Sequence, residues 1–246
     1  MKASCRSDKG LLRKINQDWA EVKTISDSSI LAVVCDGIGG TAGGEIASKT
    51  ASEKICRYFE KNFKLDEYDY ESLVLGSINV ANNKILEISR SKNDIQNLGT
   101  TVVLAFVHHG SIYVANVGDS RAYLISDSKI EQITKDHSLL QELISEGKIT
   151  KEEAKNSPNK HIITRALGPN SNSQPELYTR FIGLSADQTK NFRLLLCSDG
   201  LNKELKDDEI KEIVMKHEDH EIILERLIQK AKDYGGSDNI TAAIIF

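Results

Sequence analysis

The 246-residue sequence is expected to fold as an α+β protein. The architecture it predicts is a four-layer α-β-β-α sandwich: two stacked, mainly antiparallel sheets flanked by helix pairs, with a small flap insert at about 137–170. Three observations carry this. Apolar strand-like runs come in groups separated by turn residues. Segments of helical period come in pairs between those groups, where a parallel doubly wound sheet would alternate one helix with one strand. All three prolines, Pro158, Pro169 and Pro175, fall in one polar stretch.

The elements follow in order. The first ~35 residues read as short strands, among them residues 19–25 and the apolar run 30–35. From about Gly43 to Lys61 the period becomes helical, with Ala47, Ala51, Ile55, Tyr58 and Phe59 recurring on one side. A second helix is expected over about 70–90, with Val74, Ile78, Ala81, Ile85 and Ile88 on its apolar face. Strands return at 101–107, 111–117 and 121–125, and His109-Gly110 and Gly118-Asp119 look like hairpin turns. Residues 137–170 carry short helices, one opened by the capping box Thr150-Lys151-Glu152-Glu153. Strands are expected again near 177–184 and 192–197. Helices follow near 207–217 and 220–234, and the last strand is 239–246. No repeat or linker interrupts the chain, so residues 1–246 are read as one domain.

Bulk properties narrow the function. With 39% hydrophobic and 28% charged residues, the composition is that of an ordinary globular protein. A formal charge of -4 offers no basic patch for nucleic acid. No apolar run approaches membrane-spanning length, and the first residues lack the apolar stretch of a signal peptide. The four cysteines (Cys5, Cys35, Cys56, Cys197) are scattered, which suits a reducing cytoplasmic compartment.

The chemistry is carried by acids at strand ends. The run Ile30–Cys35 stops at Asp36-Gly37, and Phe192–Cys197 stops at Ser198-Asp199-Gly200. Asp238-Asn239 stands just before the apolar run Ile240–Phe246. The three carboxylates can share one sheet edge if the third strand runs antiparallel to the first two. Crowded carboxylates repel in a low dielectric, and hard divalent cations such as Mg²⁺, Mn²⁺ or Ca²⁺ relieve the repulsion through oxygen ligands. The alternative is that Asp-Gly only marks surface turns.

A competing motif overlaps the first acid. Gly37-Ile38-Gly39-Gly40-Thr41-Ala42 fits the dinucleotide-binding pattern and would make the protein a nicotinamide-dependent oxidoreductase. Asp36 would then sit beside the pyrophosphate. A second helix follows where that fold needs a strand ending in a ribose-binding acid. The same glycines equally let the backbone close around a metal, with a glycine carbonyl as ligand.

The chain resembles the metal-dependent protein Ser/Thr phosphatases of type 2C, in their compact bacterial form. The resemblance rests on nine motifs in order. These are Ser7–Gly10, Arg13–Asp18, Asp36–Gly40, Gly99–Thr101, Val117–Tyr123, Asp136–Ser138, Ile163–Gly168, Cys197–Leu201 and Gly235–Thr241. It implies that Asp36 bridges two Mn²⁺ or Mg²⁺ ions, that the Gly37 carbonyl binds one, and that Asp199 and Asp238 complete the other. Asp119, with Asp199, would match a weaker third metal site. Arg13 would hold the substrate phosphate, and Asp18 would orient water. The catalytic set is thus Arg13, Asp18, Asp36 and Asp199. The implied partners are phosphorylated proteins made by a Ser/Thr kinase, and the implied state is a monomer.

Three positions depart from the family pattern. Gln17 stands where many relatives have Glu, which removes a negative charge. Ile38 stands where some have His, so no imidazole acid is expected there. Lys203 stands where some have an acid, which would weaken a third metal. Gln17 also leaves open a binding-only phosphatase-fold protein. Asp119 has a second reading as a hairpin-turn cap. His137 is read as a structural helix-end residue, and the other five histidines as ordinary surface or core positions.

Overall fold

The structure, a computed structural model, describes all residues except 40–41, 66–68, 92–97, 156, 160, 170, 183–191 and 217–218. Its strands are β1 (Ala3–Asp8), β2 (Trp19–Ser26), β3 (Ser29–Cys35), β4 (Gly37–Ile38), β5 (Gly99–Thr100), β6 (Val102–His108), β7 (Ser111–Val117), β8 (Arg121–Ile125), β9 (Ile130–Gln132), β10 (Glu176–Phe181), β11 (Arg193–Cys197) and β12 (Ile240–Ile245). Its helices are α1 (Ala42–Asn62), α2 (Tyr70–Ser91), α3 (Leu139–Ser145), α4 (Lys151–Lys155), α5 (Asp199–Asn202), α6 (Asp207–Lys216) and α7 (His220–Asp233).

Two five-stranded sheets form, in the orders β1-β12-β11-β8-β9 and β10-β7-β6-β3-β2. Every ladder between named strands is antiparallel among the described residues. The expected α+β sandwich is therefore present, and the parallel sheet needed by the oxidoreductase reading is not.

Why β3 reads as an unbroken apolar run is clear from its neighbours. Leu31, Val33 and Cys35 pack under α1 and α2, while Ile30, Ala32 and Val34 face the other sheet. Period-two alternation survives, but both faces are buried, so both are apolar. β11 and β12 behave alike: Leu195, Cys197, Ile240, Ala242 and Ile244 meet α6 and α7, and Leu194, Leu196, Ala243 and Ile245 fill the space between the sheets. Each such fully buried side chain contributes about 1.5–3 kcal/mol of transfer free energy. On α1, Ala47, Ala51, Ile55 and Phe59 recur every four residues and are wholly buried, and Phe59 meets Phe106 of β6 at 5.1 Å between ring centroids.

Local signals held in several places. Thr150 and Glu153 form the expected capping box, with Glu153 Oε2 accepting from the Thr150 amide at 2.7 Å. His109 and Gly110 both take positive φ, 45° and 78°, making the two-residue hairpin turn between β6 and β7.

Two expectations fail for topological reasons. Gly118-Asp119 is not a hairpin turn: β7 and β8 lie in different sheets, so the segment crosses from one layer to the other. Likewise the three strand-end acids do not share one sheet edge. Asp199 and Asp238 flank the antiparallel pair β11–β12, while Asp36 ends β3 in the facing sheet. The tail of the 177–184 strand, Gly40 of the glycine run and His217 lie outside the described residues. Short β4, β9 and α5 had no sequence signal of their own.

Candidate active site

All five acids of interest emerge at one end of the sandwich. Asp18 precedes β2 and Asp238 precedes β12, while Asp36, Asp119 and Asp199 follow β3, β7 and β11. Because neighbouring strands alternate in direction, strand starts and strand ends fall at the same edge. There four of the acids surround a cleft of about 280 Å³ lined by Arg13, Gln17, Asp36, Gly37, Thr101, Asp119, His161, Asp199, Lys203 and Asp238. A larger apolar groove of about 390 Å³ lies at the opposite end, around Val107, Ile112, Leu194 and Ile245. Its lining is mainly apolar, with Asp27 and His109 as its ionisable side chains among the described residues, so chemistry and not size marks the site.

Hydrogen bonds hold the backbone rigid beneath the acids. The Asp36 amide donates to Thr101 Oγ1 at 3.0 Å, and the Asp36 carbonyl accepts from the Thr101 amide at 2.9 Å. Thr101 Oγ1 is also 2.7 Å from Ser120 Oγ, which ties the Asp36 turn to the crossing that carries Asp119. Gly37 has no room for a side chain: a Cβ there would fall 2.4 Å from the Gly44 carbonyl oxygen and 2.5 Å from that of Gln17. Glycine is needed for this close approach.

Asp18 lies behind the cleft and not in its wall. It is buried, and its Oδ2 accepts from Ser198 Oγ at 2.6 Å. Asp199 is buried too, and its Oδ1 has no hydrogen-bond donor among the described residues, while Oδ2 is held by the Lys203 ammonium. Asp238 Oδ2 accepts from Arg13 Nη2 at 2.8 Å.

The electrostatics are those of an acidic cluster in a poor solvent. Burial, then the charges of Asp18, Asp199, Asp119 and Asp238, push the Asp36 carboxyl well above its ordinary range. Burial is also the largest cause for Asp18 and Asp119, each raised to about 7. Asp36 and Asp119 are half-buried in the cleft wall, and enough protein surrounds them for desolvation to dominate.

Two residues were misjudged or missed. His161, expected to be an ordinary position, lines the cleft mouth from the flap. Asn239 reads in the sequence only as part of the Gly235–Thr241 motif beside Asp238. Its Oδ1 accepts from the Gln17 amide at 2.8 Å, and its Nδ2 donates to the Lys9 and Ile15 carbonyls at 2.9 and 3.0 Å. It thereby docks the loop that carries Arg13. A buried Asn opening an apolar strand was the available signal, since an amide there must satisfy both its ends.

An acid-rich cleft at one end of a two-sheet sandwich, with an arginine at its mouth, suits a hydrolase of the phosphatase kind, and the comparisons agree. The sequence pattern of "Protein phosphatase 2C" matches residues 12–243. The chain is 35% identical over 246 residues to serine/threonine phosphatase stp of Listeria monocytogenes, covering 100% of this chain and 95% of that protein. The crystal structure of Stp1 from Staphylococcus aureus superposes with a TM-score of 0.89 at 34% identity, covering 99% of this chain and 93% of that one. The catalytic domain of PstP in complex with two manganese ions superposes with a TM-score of 0.82 at 30% identity, covering 99% and 96%.

The chain belongs to the protein phosphatase 2C family. It is a protein serine/threonine phosphatase of the compact bacterial form. No helix among the described residues is long and apolar enough to cross a membrane.

Proposed function

We propose that this cleft hydrolyses phosphoserine and phosphothreonine monoesters in proteins phosphorylated by a Ser/Thr kinase, using two Mn²⁺ or Mg²⁺ ions. The observation that carries the reading is the convergence of Asp36, Asp119, Asp199 and Asp238 beside Arg13, with a buried Asp199 oxygen that lacks a donor. The four carboxylates suit hard divalent ions in kind, since every donor they offer is oxygen. Lys203 and Arg13 now meet Asp199 and Asp238, however, and no three acids among the described residues are gathered closely enough to hold an ion without some rearrangement. Asp36, the Gly37 carbonyl, Asp199 and Asp238 would hold the two ions, and Asp119 with Asp199 a weaker third. When bound, the ions neutralise phosphoryl oxygens and activate water as nucleophile.

The chain's own residues do the rest. Arg13 is bonded to Asp238 at an exposed position, its side chain 53% accessible. Such pairs hold by about 0–1 kcal/mol, so the guanidinium can turn to a substrate phosphate at little cost. Asp18, fixed by Ser198, places a carboxylate directly behind Asp199 and Asp238 to orient water. Among the described residues, neither a cysteine nor Ser198 is poised as a nucleophile. Burial pushes the Cys197 thiol up to about 12, and the Cys35 thiol well above its ordinary value. Ser198 Oγ is committed to Asp18 and to the Thr241 amide. The reaction is therefore direct transfer to water: the phosphorus–oxygen ester bond breaks and the protein alcohol leaves. In this reading residues 1–246 act as one catalytic domain with 137–170 as its flap. Four free cysteines suit a reducing cytoplasm.

The test is hydrolysis of p-nitrophenyl phosphate and a phosphothreonine peptide with Mn²⁺, after chelation, and after Mn²⁺ is restored. Turnover should fall at least about 100-fold on chelation and return on readdition. Chelator-resistant turnover, or a trapped phospho-enzyme, would refute it. Arg13→Ala should raise KM for phosphopeptides about tenfold with a smaller change in kcat, the signature of lost phosphate binding. Unchanged peptide kinetics would return Arg13 to the status of a surface charge.

A further inference from the structure

We propose that His137 is a positioning residue that fixes the Gly118–Asp119 turn in the cleft and couples it to the flap. Two hydrogen bonds join His137 to a single residue. The Gly118 amide donates to His137 Nδ1 at 3.1 Å, and the His137 amide donates to the Gly118 carbonyl at 2.9 Å. Gly118 sits at φ 115°, and a Cβ there would fall 2.6 Å from Thr101 Cγ2, so the turn is pressed against the residue that also holds Asp36. On its other side the His137 carbonyl accepts from the Thr164 amide at 2.8 Å, next to Ile163 in the cleft wall. His137, where the flap begins, is thus tied both to the Asp119 crossing and to the far part of the flap.

The chemistry selects histidine. A buried amide must find an acceptor, and Nδ1 supplies one only when it carries no proton. The remaining proton then lies on Nε2, which faces Glu176 Oε1 at 3.4 Å. Burial lowers the imidazole's affinity for a second proton, and this keeps the acceptor available. A residue expected to be only a helix end therefore sets the position of Asp119.

The inference rests on the role given above to Asp119, and its test separates the two. His137→Asn places an oxygen where Nδ1 stands and keeps the Gly118 bond. His137→Gln places its amide near Nε2 and loses that bond. Phosphopeptide kcat/KM should stay within about threefold of wild type in H137N and fall about 10–100-fold in H137Q, as expected for a displaced catalytic group. Asp119→Asn should also be impaired, and H137Q added to D119N should cost less than the two losses combined. If D119N is impaired but H137Q is normal, or if H137N and H137Q lose equally, the inference fails while the role of Asp119 stands. If D119N is silent, both fail. Nitrogen NMR of the unaltered protein gives a measurement independent of any variant: His137 Nδ1 should be unprotonated at pH 7, and a protonated Nδ1 would overturn the inference.

Discussion

Replacing Asp36 by Asn will abolish phosphatase activity, by about 10³-fold or more, and will raise the thermal stability of the metal-free protein. The first effect follows from the proposed role of Asp36 in holding the ions, because the substitution would remove charge from the oxygen set that binds them. The second follows from electrostatics. Asp36 is raised by burial and by four neighbouring carboxylates, and Asp18 and Asp119 are raised to about 7. The unfolded chain releases these protons near pH 4, and the folded chain keeps them longer. Between about pH 4 and pH 7 the native state binds more protons, so stability of the metal-free protein falls as pH rises through that window. Asp36→Asn removes one repelling charge and should flatten this slope. At pH 8 with chelator the Tm should rise by on the order of 5 °C. Melting curves with and without Mn²⁺ across that pH range, run beside turnover assays, decide it. Near wild-type turnover at saturating Mn²⁺ would show that Asp36 does not bridge the ions. An unchanged or lower metal-free Tm would show that the cluster is not strained.

Gly200→Ala should cost both fold stability and activity although it removes no proposed ligand. An added Cβ would lie 2.0 Å from the Asn239 carbonyl oxygen and 3.3 Å from Asp238 Cβ. Both α5 and the start of β12 are buried there, so the backbones must part. Overpacking of this kind costs about 1–3 kcal/mol or more, a fall in Tm of roughly 5–10 °C for a chain of this size. Parting α5 from β12 also parts Asp199 from Asp238. A shift of about 1 Å in a catalytic constellation can cost about 100-fold in rate. A thermal melt and phosphopeptide kinetics on the same preparation measure both. Wild-type kcat/KM in Gly200→Ala would mean that the spacing between the two acids is not critical.

The layers and the acids were legible in the sequence because they depend on local periodicity and on neighbours along the chain. β3, β11 and β12 were legible as buried strands because largely apolar runs with an acid at one end, Asp36 or Ser198-Asp199 after the first two and Asp238-Asn239 before the third, leave few other solutions. α1 and α2 followed from the four-residue spacing of Ala47, Ala51 and Ile55, and from the four- and three-residue spacing of Val74, Ile78 and Ala81.

What the sequence could not decide was how strands are shared between sheets. β7 and β8 adjoin in the chain with turn residues between them, which is the signature of a hairpin, yet they belong to different layers. Pairing is settled by which partner buries each face, and that is a long-range matter. The same limit hid the roles of His137, His161 and Asn239. Each acts on residues 19 to 230 positions away or stands on a flap whose placement over the cleft has no local code. By itself the sequence determined that acids would stand at the ends of buried strands, because an apolar run and the charge that stops it are neighbours in the chain. Only the tertiary structure decided that acids from two facing sheets meet around one cleft, because stacking the sheets to bury the apolar layer between them brings those ends together.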